Sequence, residues 1–119
     1  MAATDPDLSE ILALEPHGPD VYVGISIPTP WDRVYGGQVV AQGLWAASDT
    51  VGPEYRVHSV RAYFIRGGEL SEPIRFEVDR IRNGRSFTTR RVVARQSSGA
   101  ILNLDASFQV PEVRADVQP

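Results

Sequence analysis

Cysteine is absent from the 119-residue sequence, and so is lysine: all 12 basic residues are arginine. Without a thiol there is no disulfide, no thiolate nucleophile and no cysteine-based metal site. The two histidines, His17 and His58, stand far apart, so no zinc or other metal centre is expected. No apolar run reaches the ~20 residues of a membrane-spanning helix, so no membrane span is expected. The amino-terminal stretch MAATDPDLSEIL is acidic and lacks the basic start and apolar centre of a signal peptide, so a soluble, cytoplasmic protein is expected. An excess of positive charge is missing too. The net charge is -3, from 12 Arg against 15 Asp and Glu, which argues against nucleic acid as a partner. The glycine-rich nucleotide loops G-x-G-x-x-G and G-x-x-x-x-G-K-[ST] do not occur.

What remains is an ordinary globular composition, 42% hydrophobic and 23% charged, enough for one domain over 1–119. Asp5-Pro6-Asp7 opens a short helical pattern, about 7–14, with Leu8, Ile11 and Leu12 at i, i+3 and i+4. The β-branched run from Val21 reads as a first strand, with Val21, Val23, Ile25 and Ile27 on one face, closed by Pro28 and Pro30. Two glycines, Gly36 and Gly37, then precede a long helix, about 37–50. Its apolar stripe is Val40, Leu44 and Ala47, widened by Val39 and Gly43. A second stripe, Gln38, Gln42, Trp45 and Asp49, is polar and aromatic. Gly43 inside the helix costs roughly 1 kcal/mol against alanine and implies a close neighbour. Gly52-Pro53 stops the helix.

Beyond it the hydrophobic period changes to 2. Arg56 to Arg66 reads as a second strand and Ile74 onward as a third, with Ile74, Phe76 and Val78 on one side. Asn83-Gly84 is a hairpin signal. Phe87 to Gln96 is a fourth strand. In the fifth, Leu102, Leu104, Ala106 and Phe108 alternate with polar residues. Pro111 ends it, and about 112–119 reads as a loose tail. The order predicts an α+β domain in which strands two to five form an antiparallel meander over one helix. One helix cannot cover a five-stranded sheet, so further apolar surface calls for a partner chain.

RVYGGQVVAQGLWAA (33–47), VHSVRAYFIRGG (57–68), PIRFEVDRIRNGRSFTTRRVVARQ (73–96) and DASFQVPE (105–112) together resemble the N-terminal half of the acyl-CoA thioesterase II family. That resemblance implies a hotdog fold, an antiparallel five-stranded sheet wrapped around one long central helix. It implies hydrolysis of acyl-CoA thioesters to free fatty acid and CoA, within lipid metabolism and without a metal or redox cofactor. It also implies a homodimer or higher homo-oligomer, or a second hotdog subunit, with sites near the interface and with strand two, Val57 to Ile65, at the contact. The family's Asp, Ser/Thr and Gln triad lies in a second repeat, and none of it transfers to this sequence by motif match. The alternative is therefore a non-catalytic hotdog half that binds acyl-CoA or pairs with a separate catalytic subunit. Small single-repeat hotdog thioesterases carry His-Gly-Gly before the helix and a carboxylate within it. Here Tyr35 and Leu44 stand at those places, so that mechanism is not implied.

Thioester hydrolysis needs a donor for the carbonyl oxygen, a base for water and a place for coenzyme A. Glycines at a helix start let a substrate approach N–H groups that lack an intrahelical partner. Gly37 and Gln38 are accordingly the catalytic candidates, for the oxyanion or for positioning water, with Tyr35 and Gly36 beside them for substrate binding. The simpler reading of the glycines is a tight turn. Gln42 reads as a partly exposed helix residue, Asp32 as a cap or turn residue, and Asp49 as exposed. Asp79 and Asp105 read as solvated or paired with arginine. His58 shares a strand face with Val60, Ala62 and Phe64 and reads as a buried, hydrogen-bonded histidine, with acid/base chemistry or substrate binding as its other role. Arg80, Arg82, Arg85, Arg90 and Arg91 flank Asn83-Gly84. Arg82 and Arg85 are the candidates for the coenzyme A phosphates, and a solvated charged edge is the equal alternative.

Overall fold

A computed structural model describes residues 12–26 and 34–111. Strand β1 (Glu15–Pro16) and strand β2 (Val21–Gly24) come first, then helix α1 (Gly36–Asp49). Strands β3 (Arg56–Phe64), β4 (Ile74–Asn83), β5 (Phe87–Gln96) and β6 (Gly99–Gln109) follow. Most of the helix expected over 7–14 lies outside the described residues, and its last residues, Leu12 to Leu14, are not helical. Asp32, Ile27 and the tail 112–119 also lie outside them.

The strands form one sheet of six, not five, in the order β1-β2-β4-β5-β6-β3, every neighbouring pair antiparallel. The expected four-strand meander is only partly present. β4, β5 and β6 run in sequence, but β3 skips β4 and pairs with β6, from Arg56↔Gln109 to Phe64↔Leu102. The place beside β4 is taken by β2, with Tyr22 opposite Phe76. Among the described residues β3 is left as a long strand with one unpaired edge.

One face of the sheet carries the core. Ile74, Phe76 and Val78 from β4, Val92 and Ala94 from β5, and Leu102, Leu104, Ala106 and Phe108 from β6 are buried against α1. Each large side chain among them contributes roughly 1.5–3 kcal/mol. The helix is rotated from the stripe expected. Its buried residues are Gln38, Val39, Gln42, Gly43, Ala46 and Ala47, whereas Val40 and Leu44 are only half-buried. Gly43, Ala46 and Ala47 turn toward the sheet, and the close neighbour expected at Gly43 leaves room for a methyl group. A Cβ on Gly43 would stand 3.5 Å from Leu104 Cδ1.

The first strand faces the opposite way from the pattern expected. Tyr22 and Gly24 point inward, and Val21 and Val23 are half-buried. The reason is the polar helix stripe, which packs on this segment instead of facing water. Gln42 Nε2 donates to Ile25 O at 2.8 Å, and Gln38 Nε2 reaches the same oxygen at 3.3 Å. Trp45 meets the Tyr22 ring edge to face at 5.8 Å, and the Tyr22 hydroxyl donates to Asp49 Oδ2 at 2.8 Å. Burial first, then the Asp49 carboxylate, pushes the Tyr22 pKa up to about 12.

The helix C-terminus is closed by Arg90, 1% exposed. Its Nε donates to Thr50 Oγ1 at 2.6 Å and Nη2 to Thr50 O at 3.0 Å. Nη1 donates to the carbonyls of Arg82 (3.2 Å) and Thr89 (3.1 Å). Burial, with Arg80 nearby, holds its pKa below the usual guanidinium range. A cation at the carbonyl end of a helix is favourably placed, and four of its five N–H donors are engaged.

Candidate active site

At the other end of the helix lies a cleft of about 320 Å³. Val34, Gly36 and Val39 form one wall, Phe64 and Ile65 another, and Gly68, Ile101 and Leu102 the floor. The lining is largely apolar, with Arg66 of the 65–68 connection as its charged member, whose Nη1 donates to Ser98 O at 2.7 Å. The cleft mouth is held together by backbone bonds. Val34 N donates to Gly68 O at 3.2 Å, and Ile65 N to Ile101 O at 2.9 Å.

The candidates at the helix start separate on inspection. Tyr35 is the N-cap, extended at φ -70 and ψ 125, with no side-chain cap bond, and its ring is exposed. Gly36 lines the cleft, where a Cβ would come within 2.9 Å of Phe64 Cε1. Gly37 is exposed and turned to the Tyr35 ring. The Gln38 N–H donates to Tyr35 O at 3.1 Å, so this amide is committed to the helix start and is not offered to a ligand. Its side chain is buried with that of Gln42, the two joined by a 3.0 Å bond from Gln38 Nε2 to Gln42 Oε1. The exposure expected for Gln42 is therefore wrong. Two neutral amides at i and i+4 are buried because both have polar partners, Ile25 O among them. Gly36 and Gly37 carry the first two N–H groups of the helix, which by position have no intrahelical acceptor.

His58, Arg82 and Arg85 lie at the opposite end of the sheet. His58 is exposed, not buried as expected. Every residue of this edge strand except half-buried Ala62 is exposed, Val60 and Phe64 of the expected buried face included, and a register shift between Val57 and Ser59 leaves His58 with no residue opposite it on β6. Its ring meets Phe87 edge to face at 5.9 Å. Phe64 at the cleft pairs with Leu102, and Arg56 beside His58 pairs with Gln109. The nine residues of β3 thus separate the two groups by roughly 25 Å within one chain. Asp105 is paired with Arg91 at 3.0 Å, as one of its two readings had it. Phe64, Val34 and Ile101 are cleft residues that sequence reasoning missed. The one available signal was Phe64, a large aromatic at the end of a strand facing paired glycines.

A long helix lying in the curve of an antiparallel sheet defines a hotdog domain. Residues 27–109 match the family model described as the acyl-CoA thioesterase N-terminal domain, and the chain belongs to that family. It is 41% identical over 104 residues to acyl-coenzyme A thioesterase 8 of Mus musculus, covering 86% of this chain and 32% of that protein. It is 42% identical over 107 residues to acyl-CoA thioesterase 2 of Haemophilus influenzae, covering 89% and 37%. Among solved structures it superposes on a tesB protein of Mycobacterium avium subsp. paratuberculosis with a TM-score of 0.80 at 38% identity, over 92% of this chain and 44% of that one. The chain thus spans about a third of the length of the curated relatives it matches.

Proposed function

We propose that this chain is the N-terminal hotdog unit of a hydrolase that cleaves acyl-CoA thioesters to free fatty acid and CoA. The carrying observation is the apolar cleft opening at Gly36, in a member of a thioesterase domain family. Apolar walls suit an acyl chain. The glycine start lets a thioester carbonyl approach the Gly36 and Gly37 N–H groups, where the helix dipole favours developing negative charge. The working assembly in this reading is a homodimer or higher homo-oligomer, or a pair with a second hotdog subunit, joined along the free edge of β3. Val57, Val60, Tyr63 and Phe64 on that strand are 41–66% exposed in the single chain, and an unpaired apolar edge invites pairing. Antiparallel pairing of two β3 edges sets the Arg56 end of one unit against the Phe64 end of the other, so one unit's hairpin end approaches its partner's cleft. The reaction needs no metal or redox cofactor, and the reading places the protein in cytoplasmic lipid metabolism. No helix among the described residues is long and apolar enough to cross a membrane.

A second reading has its own support. Among the described residues lining the cleft there is no Asp, Glu or His to activate water. In that reading the chain is a non-catalytic half that binds acyl-CoA, or pairs with a hotdog subunit that supplies the base. A thiol-release assay on the purified chain, with acyl-CoAs of several lengths, tests the first reading. Turnover supports it. Binding of acyl-CoA without turnover selects the second.

A further inference from the structure

The floor of the cleft runs through Gly67 and Gly68. At Gly68 the packing requires glycine. A Cβ there would stand 2.9 Å from Val34 Cγ2 and 3.2 Å from Ile101 Cδ1, two side chains that line the same cleft. Two consecutive glycines are also the most pliable floor a chain can supply, since glycine has more backbone freedom to lose than any other residue. Space for a ligand and a firm surface beneath it are in conflict at this point.

The β5–β6 turn resolves it by holding the glycine pair from both sides. Before the pair, Arg66 Nη1 donates to Ser98 O at 2.7 Å. After it, Gln96 grips Glu69 by both backbone groups. Glu69 N donates to Gln96 Oε1 at 2.8 Å, and Gln96 Nε2 donates to Glu69 O at 2.8 Å. The same amide nitrogen donates to Glu72 O at 3.1 Å. The Glu72 carboxylate accepts in turn from Ser97 N at 3.0 Å and from Ser97 Oγ at 2.9 Å. Those two bonds hold the Glu72 carboxyl below the usual carboxylate range. The turn itself needs none of these contacts, since Ser97-Ser98-Gly99 is turn chemistry and Gly99 supplies the positive φ of 117. What they order is the 66–72 segment, and that ordering is in place before a ligand arrives.

We infer that Gln96 and Arg66 are positioning residues for the cleft: their two brackets fix the glycine floor and so set how closely it fits an acyl chain. The identity of the ligand, an acyl-CoA, rests on the function proposed above. An acyl chain gains from each methylene only where the floor stays in van der Waals contact with it. A gap of roughly 0.5–1 Å already forfeits about a quarter to a half of that attraction. A floor that is loosened by this much loses discrimination by chain length, while the helix start at Gly36 keeps its place on the other side of the cleft. Gln96 acts only through the backbone it holds and touches no reacting atom. Its loss therefore falls on KM and on chain-length preference, and leaves kcat nearly unchanged.

Gln96→Met tests this on the full chain, because it keeps the length of the side chain and removes its three hydrogen bonds. Amide hydrogen exchange across 66–70 should speed up by about tenfold more than exchange in β4. Calorimetry with S-alkyl-CoA thioethers of short, medium and long chain, which cannot be hydrolysed, reads the fit. In the parent each added methylene should tighten binding by up to about fourfold, the worth of burying one CH2. In Gln96→Met that increment should fall by half or more on a logarithmic scale. Arg66→Met should act in the same direction, and Arg66→Lys, which keeps a donor for Ser98 O, should restore much of the loss. Arg75→Gln, whose native partner is Glu77 at 3.0 Å on the same sheet, should change neither reading. Parental exchange across 66–70 in both methionine variants overturns the inference. Faster exchange with an unaltered increment per methylene also overturns it, since the brackets would then serve the fold alone. So does a fall in kcat for acyl-CoA at unaltered KM. Thioether binding with the expected increments but no hydrolysis of any acyl-CoA sinks the proposed hydrolysis and leaves the brackets standing. A parent that binds no thioether overturns both.

Discussion

The two ends of the central helix are finished in opposite ways. At the C-terminus a buried guanidinium satisfies Thr50 and ties the helix to the β4–β5 hairpin. At the N-terminus neutral amides hold the helix to the β2 segment, and the first turn is left facing a cleft. The closed end has a charge with most of its donors used. The open end has glycine, no charged group in its first turn and a largely apolar hollow with Arg66 at its lining. Both ends bury polar side chains, yet only one leaves space for a ligand. Polar burial therefore does not distinguish the two ends; the cleft beside the first turn does.

The sharpest way to break this comparison is to open the closed end. Arg90→Ala strands Thr50 O and the Arg82 carbonyl and removes the cation from the helix terminus. It should cost about 3 kcal/mol in urea unfolding. Arg90→Lys should recover less than half of that, because an ammonium cannot reproduce the fork. A loss below about 1 kcal/mol for the alanine variant would mean that the closed end is held by packing alone.

Filling the open end comes next. Gly36→Val places a side chain against Phe64, inside the cleft. If the protein turns over acyl-CoA, the rate should fall by on the order of 100-fold, the scale of one lost oxyanion donor, with little change in unfolding free energy. Gly37→Val should do much less, since Gly37 faces the Tyr35 ring, which is exposed and can swing away. Equal losses in the two variants, with folding verified, would mean that the substrate needs open space at both glycines and that the Tyr35 ring does not swing away.

The amide seam is the milder structural test. Gln42→Leu keeps the volume but leaves Ile25 O dependent on the longer 3.3 Å bond from Gln38. A cost of roughly 1–2 kcal/mol is expected by denaturant unfolding. No measurable loss would show that water replaces the amide, and that the seam does not hold the segment in place.

These residues also mark where the sequence could and could not be read. β4, β5 and β6 were legible because their inward residues alternate through most of each strand, and because Asn83-Gly84 and Ser97-Ser98-Gly99 are local turn chemistry. The place of β3 was not legible: whether a strand pairs with β4 or β6 is a long-range choice that periodicity does not carry. The helix face was misjudged for a different reason. Gln38 and Gln42 look solvated until Ile25 O is seen opposite them, and hydrophobic patterning takes no account of a backbone acceptor. His58 is exposed because β3 is an edge strand with both faces largely open, and alternation alone does not tell a covered face from an open one. The glycine pair stands at the first turn of the helix, and one of its two members lines the cleft. Which glycine faces the cleft depends on Phe64, contributed by a strand that pairs far away in sequence.

The smallest expected effect runs in the stabilising direction and separates the two kinds of glycine near the open end. Gly43 sits in mid-helix, where glycine costs roughly 1 kcal/mol against alanine. A Cβ there would meet Leu104 Cδ1 at 3.5 Å, Val92 Cγ1 at 3.8 Å and Phe76 Cδ2 at 3.9 Å, all ordinary van der Waals contacts. Gly43→Ala should therefore stabilise the fold by about 1 kcal/mol, with no effect on the cleft. Gly24 is the counter-case. A Cβ on it would lie 2.5 Å from Leu14 Cδ2 and 2.9 Å from Gln42 Nε2, in the seam that anchors the open end. Gly24→Ala should destabilise, by roughly 1–3 kcal/mol for an overpacked site. A matched pair of unfolding curves reads both. If Gly43→Ala also destabilises, the helix lies closer to β5 and β6 than these distances state, and its glycine is a packing requirement at the sheet, as that of Gly24 is at the seam.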